Sequence, residues 1–277
     1  MRTLTIATLS FLGVALTALA QTPPQYEVYA IRYATLPQFP ISALVKGGDA
    51  AVKIDVPCYV WLIRGGGRNI LVDSGFYRPQ FMKQWKPADF VRPDEAVARA
   101  GVKAADITDL IISHAHWDHL DGADLFPNAQ IWIQRDEYVY YTADAWQSGG
   151  KHGGIDPADM AYLLRENTAG KLHLVDGEQE ILPGIRVYTG GRHTFASQYV
   201  TVTAKPGTIV LASDNVYLYQ NLDKHLPIAQ TFDEQSNLRA QETMKTLVKD
   251  PRLIIPGHDP AVLQRFPKVA EGVVRIE

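Results

Sequence analysis

Short apolar runs bounded by turn residues recur from residue 26 to residue 258. The runs of strand length are YEVYAIRYAT, PCYVWLIR, NILVDSG, DLIISH, QIWIQ, KLHLVD, RVYTG, YVTVTA, GTIVLASD and RLIIPGH. The segments with the spacing of helices are PDEAVARAGV, RDEYVYYTADAW, DPADMAYLLREN and QSNLRAQETMKTLVKD. Strands grouped with helices between and after them predict a layered α/β fold.

Three of the predicted strands end on a side chain that can bind a ligand. DLIIS runs into His114, GTIVLAS into Asp214, and RLIIPG into His258. Because α/β proteins place ligands at strand ends, where a rigid sheet fixes the position of an exposed side chain, we expect these three residues to meet in one site.

The segment SHAHWDHLDG concentrates ionisable side chains, with three of the eight histidines of the chain. His114 and His116 lie two residues apart, so in an extended or loop conformation both imidazoles face one side and can bind one metal ion. Asp118 and His119 follow at the predicted start of a helix, where they can face a second metal ion. A lone HxH motif is usually a surface feature, but this density of imidazoles and carboxylates is costly to bury without a cation. We therefore interpret the segment as a metal site.

Later segments supply the missing ligands. The predicted ligands of the first metal ion are His114, His116 and His193, and those of the second are Asp118, His119 and His258. Asp214 is predicted to bridge the two ions together with a water molecule, and this mixture of nitrogen and oxygen ligands suits Zn²⁺. The remaining histidines, His152, His173 and His225, are expected to be structural or solvated.

Composition narrows the class of partner. A formal net charge of -3 with 21% charged residues gives no basic stripe, so we expect a small-molecule substrate and no nucleic acid.

No linker, repeat or low-complexity tract divides residues 21–277, which are predicted to form a single domain. The single cysteine, Cys58, excludes an intramolecular disulfide, and we interpret it as a buried core thiol rather than a reactive one.

The N-terminal segment differs from the rest of the chain. Arg2 precedes the apolar run LTIATLSFLGVALTALA, and the polar segment QTPPQ follows Ala20. A charged start, an apolar middle and a small-residue exit are typical of a secretory signal peptide, so residues 1–20 are predicted to be cleaved. The mature protein is then expected to be periplasmic or secreted, without stable membrane insertion. An uncleaved membrane anchor is the alternative.

The residues of the predicted metal site, in this order, resemble the metallo-β-lactamase superfamily of binuclear hydrolases. The resemblance extends from VPCYVWLIRGGGRNILVDSG through PGHDP. It implies an αββα sandwich with two Zn²⁺ per chain at one edge, although iron, manganese or cobalt suit the same ligands. Asp73 matches the strand-ending aspartate of the family, which orients a metal ligand.

Tyr217, three residues after Asp214, resembles a tyrosine of the N-acyl homoserine lactonases of this superfamily that contacts the substrate carbonyl. The resemblance implies a lactone substrate, with Tyr217 and Asp118 as catalytic residues. An ordinary packing role for Tyr217 is the alternative. A β-lactamase or a broad-specificity esterase would use the same ligands, and a non-catalytic metal-binding module is a third hypothesis.

Two aromatic-rich segments leave alternatives open. The segment from Gln134 to Lys171 is interpreted as a cover or a dimer surface, so homodimer formation stays open. A second set of apolar residues could line a channel for an acyl chain or belong to the core, and we favour the core; it consists of Phe76, Phe81, Met82 and Trp85.

Overall fold

The computed structural model describes residues 24–277, so the predicted signal peptide lies outside the described residues. The strands are β1 (Glu27–Pro40), β2 (Lys53–Gly65), β3 (Arg68–Val72), β4 (Asp109–Ile111), β5 (Gln130–Gln134), β6 (Leu172–Val175), β7 (Gln179–Leu182), β8 (Ile185–Thr189), β9 (Gln198–Ala204), β10 (Gly207–Ser213), β11 (Ile254–Pro256), β12 (Lys268–Ala270) and β13 (Val273–Ile276). The α-helices are α1 (Pro79–Trp85), α2 (Pro93–Ala98), α3 (Trp117–Leu120), α4 (Arg135–Thr142), α5 (Pro157–Thr168), α6 (Tyr219–Lys224), α7 (Glu234–Leu247) and α8 (Val262–Arg265).

The strands form two sheets that pack face to face. The eight-stranded sheet has the order β12-β13-β1-β2-β3-β4-β5-β6, and the five-stranded sheet has the order β11-β10-β9-β8-β7. Side chains of β2 alternate between two clusters, since Trp61 and Ile63 pack with the small sheet while Leu62 packs on the other face. Because both faces of the central strands are buried, their sequences are continuous apolar runs instead of alternating apolar and polar residues.

Helices cover the outer faces. Val97 of α2 and Leu163 of α5 belong to the cluster on the outer face of the large sheet, whereas Met244 of α7 packs with the small sheet. The architecture is the predicted αββα sandwich. Within residues 24–277, no helix is both long and apolar enough to cross a membrane.

Each sheet contains a parallel pair of strands whose carboxyl ends point to one edge of the sandwich. In the large sheet β3 pairs with β4 in parallel, and in the small sheet β10 pairs with β11 in parallel. Asp73 follows β3, Asp214 follows β10, and His114 and His258 come shortly after β4 and β11. The topology therefore delivers the strand-end residues singled out in the sequence to the same edge of the sandwich.

The structure adds short elements to those predicted from the sequence. Every predicted strand and helix segment contains a strand or helix, and α3 begins within the dense histidine segment as expected. The sequence did not predict the short strands β7, β12 and β13 or the helices α1, α6 and α8. Elements of three to seven residues carry too few periodic positions to be recognised.

Candidate metal centre

The seven predicted ligands lie together at the edge of the sandwich in two groups. The first group contains His114, His116, His193 and Asp214, and the second contains Asp118, His119 and His258. The structure thus produces the grouping predicted from the sequence, while the binding of metal by these residues stays a prediction. The ligands come from the loop after β4, from α3, and from the segments that follow β8, β10 and β11.

In the first group, nitrogen and oxygen atoms surround one point. Nε2 of His114 and Nε2 of His193 lie 3.1 and 2.9 Å from Nδ1 of His116. The same two Nε2 atoms lie 3.7 and 3.3 Å from Oδ2 of Asp214. Ligand atoms of a tetrahedral Zn²⁺ are about 3.3 Å apart, as bonds of about 2.0–2.2 Å require. These separations fit a metal ion.

The second group shares the other oxygen of Asp214. Nε2 of His119 and Nε2 of His258 lie 3.3 and 3.0 Å from Oδ1 of Asp214. They lie 3.5 and 3.9 Å from Oδ2 of Asp118. Nε2 of His119 and Oδ1 of Asp214 are buried without a hydrogen-bond partner, which is costly unless a further group satisfies them. The donor set therefore fits two divalent cations bridged by Asp214.

The outer nitrogen of each of four histidines is held by a neighbour, so that Nε2 faces the centre. Nδ1 of His119 lies 2.8 Å from Oδ2 of Asp73, and Nδ1 of His114 lies 2.9 Å from Oγ of Ser113. Nδ1 of His193 lies 2.7 Å from the Gln230 carbonyl oxygen, and Nδ1 of His258 lies 2.9 Å from the Pro57 carbonyl oxygen. Such contacts fix the ring orientation of metal-binding histidines.

Asp73 connects the two sheets beneath the centre. Its Oδ1 accepts a hydrogen bond from the Ser113 backbone N–H at 2.8 Å, and its Oδ2 accepts from the hydroxyls of Ser113 and Ser213 at 2.9 and 3.1 Å. Asp73 and Ser213 adopt left-handed backbone conformations, with φ values of 59° and 47°. Such conformations cost of order 1 kcal/mol each in non-glycine residues, so the surrounding network holds the backbone in a form that suits the site.

The close approach of the last two ligand-bearing strands depends on Gly257. A Cβ at this position would lie 2.7 Å from the Ser213 carbonyl carbon and 3.0 Å from Oδ1 of Asp214. Any larger residue would push β10 and β11 apart at their carboxyl ends. Glycine before His258 therefore allows both ligands to reach the same point.

The pKa values of the buried imidazoles are shifted in two directions, which depend on burial and on nearby carboxylates. Burial lowers the pKa of His116 to about 3 and that of His114 well below its usual value, so both rings are neutral and able to bind a cation. For His119, burial acts to lower the pKa, but the carboxylates of Asp214, Asp118 and Asp73 outweigh it and hold the pKa well above its usual value. A metal ion entering the second group must therefore displace a proton.

A cavity of about 260 Å³ opens beside the centre. Its polar side includes Asp118, Asp214, Tyr217 and His258. Its apolar side is formed by Leu36, Phe39, Leu44, Val56, Trp85 and Trp117. The cavity thus joins an apolar surface to the donor groups.

The aromatic residues after Asp73 divide between the core and this cavity. Phe76 and Phe81 are buried and Met82 packs against the core, as the favoured interpretation of the sequence expected. Trp85 differs, because it lines the cavity and stacks on Trp117 with ring centroids 5.3 Å apart and planes at 8°. Only this member of the set supports the channel alternative.

Tyr217 lies inside the cavity with its hydroxyl next to the first group. Its hydroxyl oxygen is 3.4 Å from Nδ1 of His193, and the side chain is buried. Burial and the carboxylates of Asp214 and Asp118 raise its pKa well above the usual value, so the phenol keeps its proton. A protonated hydroxyl here can donate a hydrogen bond to a bound molecule.

The segment from Gln134 to Lys171 covers part of the centre. Gly154 lines the cavity at φ +78°, and a Cβ there would lie 2.8 Å from Cδ2 of His116. The Gly154 carbonyl oxygen accepts a hydrogen bond of 2.9 Å from the Trp117 backbone N–H. Tyr138 and Tyr141 of the same segment are buried in the core, although Tyr141 also lines a cavity beside His116 and His193.

The three remaining histidines contact residues outside the two donor groups. His173 stacks on Trp132 and His152 on Trp146, with ring centroids 4.2 and 4.5 Å apart. The His225 imidazole lies 3.4 Å from a Glu242 carboxylate oxygen on the surface. Cys58 is buried, as the interpretation as a core thiol requires.

Sequence reasoning missed Ser113, Ser213 and the buried carboxylate of Glu137, which contacts the loops that carry the histidines. The two serines had a signal, since each is the residue directly before a strand-end ligand. Glu137 had none, because it is one of several acidic residues in the segment RDEYVYYTADAW.

Comparison with known proteins places the chain in one family. The family model of the metallo-beta-lactamase superfamily matches residues 54–258. An N-acyl homoserine lactonase of Bacillus sp is 26% identical over 223 residues, covering 74% of this chain and 82% of the relative. The N-acyl homoserine lactonase AttM of Rhizobium radiobacter is 27% identical over 253 residues, covering 82% of this chain and 90% of the relative.

Solved structures show the same fold. A mutant of B. thuringiensis AiiA with N-decanoyl-L-homoserine bound at its active site superposes with a TM-score of 0.69 at 22% identity, over 90% of this chain and 98% of that chain. AidC, described as a dizinc quorum-quenching lactonase, gives a TM-score of 0.65 at 17% identity over 87% of this chain and 90% of that chain. With the family match covering most of the described residues, the chain is a hydrolase of the metallo-β-lactamase superfamily.

Proposed function

We propose that the chain is a secreted binuclear zinc hydrolase that opens the ring of N-acyl homoserine lactones. The observation that carries the proposal is the position of the Tyr217 hydroxyl. Tyr217 lines the same cavity as Asp118, its hydroxyl lies 3.4 Å from Nδ1 of His193 in the first donor group, and apolar side chains line the same cavity. An amphiphilic ester with an apolar tail fits both sides of this cavity.

Each donor group has the residues to hold one ion. His114, His116 and His193 would hold the first, and Asp118, His119 and His258 the second, with one oxygen of Asp214 for each. Divalent cations bound there lower the pKa of a water molecule and stabilise developing negative charge. The residues around the cavity then decide which carbonyl is attacked.

Tyr217 and Asp118 perform the steps that need a proton. The Tyr217 hydroxyl donates a hydrogen bond to the lactone carbonyl oxygen, which becomes negative as water adds to the carbon. Asp118 is the more exposed of the two cavity carboxylates, with 14% of its side chain accessible against 5% for Asp214. It accepts the proton from the attacking water and returns it to the ring oxygen as that bond breaks. The product is the ring-opened hydroxy acid.

The apolar wall binds the acyl chain. Phe39, Trp85 and Trp117 form one stack, in which Phe39 and Trp85 have ring centroids 5.8 Å apart. Each methylene of an acyl chain that leaves water against such a surface contributes about 0.8 kcal/mol. The relatives named N-acyl homoserine lactonases support this choice of substrate over other esters.

The experiment that tests the substrate is proton release by the zinc-loaded protein. Short-chain and long-chain N-acyl homoserine lactones are supplied, with nitrocefin as a β-lactam, a simple aryl ester, and a chelator-stripped sample as the control. Metal-dependent turnover of the lactones is the expected result. Turnover of nitrocefin alone would indicate a β-lactamase, and turnover of the aryl ester alone would indicate an esterase. No turnover by the fully metallated protein would indicate a metal-binding module without catalytic activity.

Export is supported by the N-terminal sequence. The apolar run that ends in Ala18-Leu19-Ala20 has the three parts of a signal peptide. Fractionation of a bacterium that expresses the full chain, followed by mass spectrometry of its N-terminus, tests this. A mature N-terminus at Gln21 in the periplasm or medium is expected, and an intact N-terminus in the membrane fraction would favour the anchor.

A further inference from the structure

Glu137 is a fully buried carboxylate of α4 that neither donor group uses. Its Oε1 accepts hydrogen bonds from the Ala115 backbone N–H at 2.9 Å and from the Thr194 hydroxyl at 2.6 Å. Its Oε2 accepts from the Ala196 backbone N–H at 2.7 Å. Three donors therefore converge on this carboxylate from two separate segments.

Both segments carry ligands of the first donor group. Ala115 stands between His114 and His116 after a strand of the large sheet, and Thr194 directly follows His193 after a strand of the small sheet. The Glu137 carboxylate is thus a shared anchor for the three imidazoles of that group. It contacts no residue of the second group.

The same helix face supplies a second contact to the His193 segment. Tyr141 lies one helical turn after Glu137, and its hydroxyl oxygen accepts a hydrogen bond of 3.3 Å from the Phe195 backbone N–H. Residues 194, 195 and 196 each donate one hydrogen bond to α4. The helix therefore sets the position of the segment and not only of one residue.

Burial raises the pKa of Glu137 to about 7, and the hydrogen bonds from Ala115, Thr194 and Ala196 oppose that rise. Among residues 24–277, no lysine, arginine or histidine lies within ion-pair distance of its carboxylate. A buried carboxylate without a cation is expensive, and its donors come from the two ligand-bearing segments. The arrangement is therefore suited to placing those segments rather than to adding stability to the fold.

We propose that Glu137 is a positioning residue that sets the spacing of His114, His116 and His193, and thereby the metal affinity of the first donor group. The inference rests on the proposed metal centre but not on the lactone substrate. Loss of the anchor lets the two segments move independently, so the three imidazoles no longer meet at one point. The second group keeps its own supports in Asp73 and Pro57.

The test is a zinc titration of the metal-free protein against a competing chromophoric chelator, which resolves the two affinities. Glu137→Gln keeps the size of the side chain but places an amide NH₂ against at least one donor. Because removal of a contact behind a ligand typically costs about 10–100-fold in metal affinity, one zinc site should weaken by at least about tenfold while the other changes by less than about threefold. Cobalt substitution provides a second readout, since the d–d absorption of one site should change.

Asp109→Asn is the matched control. Asp109 is also a buried carboxylate with three side-chain donors, Arg68, Thr108 and Trp132, but it lies at the opposite end of β4 from His114. This variant should lower the thermal midpoint of unfolding without changing either zinc affinity. If Glu137→Gln does not fold, Thr194→Val removes one donor and should shift the same site in the same direction by a smaller factor.

The outcomes separate the inference from the proposed function. Two zinc affinities within about twofold of the wild type in folded Glu137→Gln, or equal weakening of both, would overturn the inference. A wild-type protein that binds no zinc would overturn it as well. If the wild type binds two zinc ions and Glu137→Gln weakens only one site, but no lactone is hydrolysed, the positioning role of Glu137 is supported and the lactonase proposal is wrong.

Discussion

Two clusters of buried carboxylates lie close together in this protein, and they are neutralised in different ways. The arginine–aspartate cluster consists of Arg78, Asp121, Asp156 and Asp159. Nη1 of Arg78 lies 2.7 Å from Oδ1 of Asp121 and also contacts Asp159, and both carboxylates are almost fully buried. The candidate metal centre has carboxylates and imidazoles but no lysine or arginine among its donors.

The two clusters differ in the source of the positive charge that balances their carboxylates. Asp121 lies only two residues after His119, so the two clusters share a stretch of chain. In the arginine–aspartate cluster the guanidinium occupies the point between the carboxylates, and the chain supplies its own cation. In the metal centre the carboxylates face imidazoles instead of a lysine or arginine, so the opposite charge comes from protons on those imidazoles or from the cations that displace them.

The largest expected effect comes from removing the shared carboxylate of the metal centre. Asp214→Asn replaces one of the two carboxylate oxygens with an amide nitrogen and removes the negative charge that both donor groups share, so zinc binding should fall below two per chain and lactone hydrolysis by about 10³-fold or more. Steady-state kinetics and zinc analysis of the purified protein measure this. The matched variant Asp121→Asn changes a buried aspartate of the other cluster and should keep kcat within about threefold. Equal losses in both variants would contradict the division between the clusters.

Breaking the arginine–aspartate cluster should instead affect folding. Arg78→Met leaves two buried carboxylates without their cation, which should lower the free energy of unfolding by about 3 kcal/mol. Urea denaturation of the metal-free protein measures this, and zinc affinity is the control. A loss below about 1 kcal/mol, or a change in zinc stoichiometry, would show that Arg78 is not the cation on which this cluster depends.

Tyr217→Phe tests whether the Tyr217 hydroxyl, in addition to the metal ions, stabilises the negative charge that develops on the lactone carbonyl oxygen during the reaction. Removal of one hydrogen bond to the developing oxyanion should lower kcat by about 100-fold, while zinc content stays at the wild-type level. Stopped-flow measurement of proton release gives kcat and KM separately. An unchanged kcat would mean that Tyr217 has an ordinary packing role and no catalytic one.

The smallest effect concerns the pH dependence of stability. Burial raises the pKa of Asp159 to about 7, and Arg78 opposes this shift. The raised pKa means that the folded chain binds a proton more tightly than the unfolded chain, so this contribution to stability is present below the unfolded pKa and is lost as the pH rises towards 7. Asp121 and Asp156 face the same guanidinium.

In metal-free protein, Asp159→Asn should therefore show a smaller fall in the free energy of unfolding between about pH 5 and pH 8 than the wild type. The two slopes should differ by at most about 1.4 kcal/mol per pH unit. Urea denaturation at each pH measures the difference. Parallel slopes would mean that Asp159 stays ionised throughout, held so by Arg78.

The sequence predicts the metal centre better than the arginine–aspartate cluster. His114, His116, Asp118 and His119 are local in sequence, and the other ligands follow recognisable strands, so their meeting at one edge could be expected. Arg78 and Asp159 are 81 residues apart and meet only because α1 and α5 pack near each other. No local pattern encodes that distance.

The same reasoning explains the remaining differences in the fold. From its sequence context Glu137 is predicted to be a solvated helical residue. Its burial depends on how α4 packs against the loops that carry Ala115 and Ala196, which come from different sheets. The hairpin of β12 and β13 consists of strands of three and four residues, which are defined by pairing with β1 and not by their own pattern. Tertiary contacts therefore decide what local periodicity leaves open.

The donors of the candidate centre are divided between the two sheets. The chain that leaves the large sheet supplies His114, His116, Asp118 and His119, and the chain that leaves the small sheet supplies His193, Asp214 and His258. Each donor group draws on both layers, so bound cations would act as cross-links across the sandwich. Separation of the sheets would then require metal release, and the lifetime of the folded protein would be set by the rate at which the ions leave.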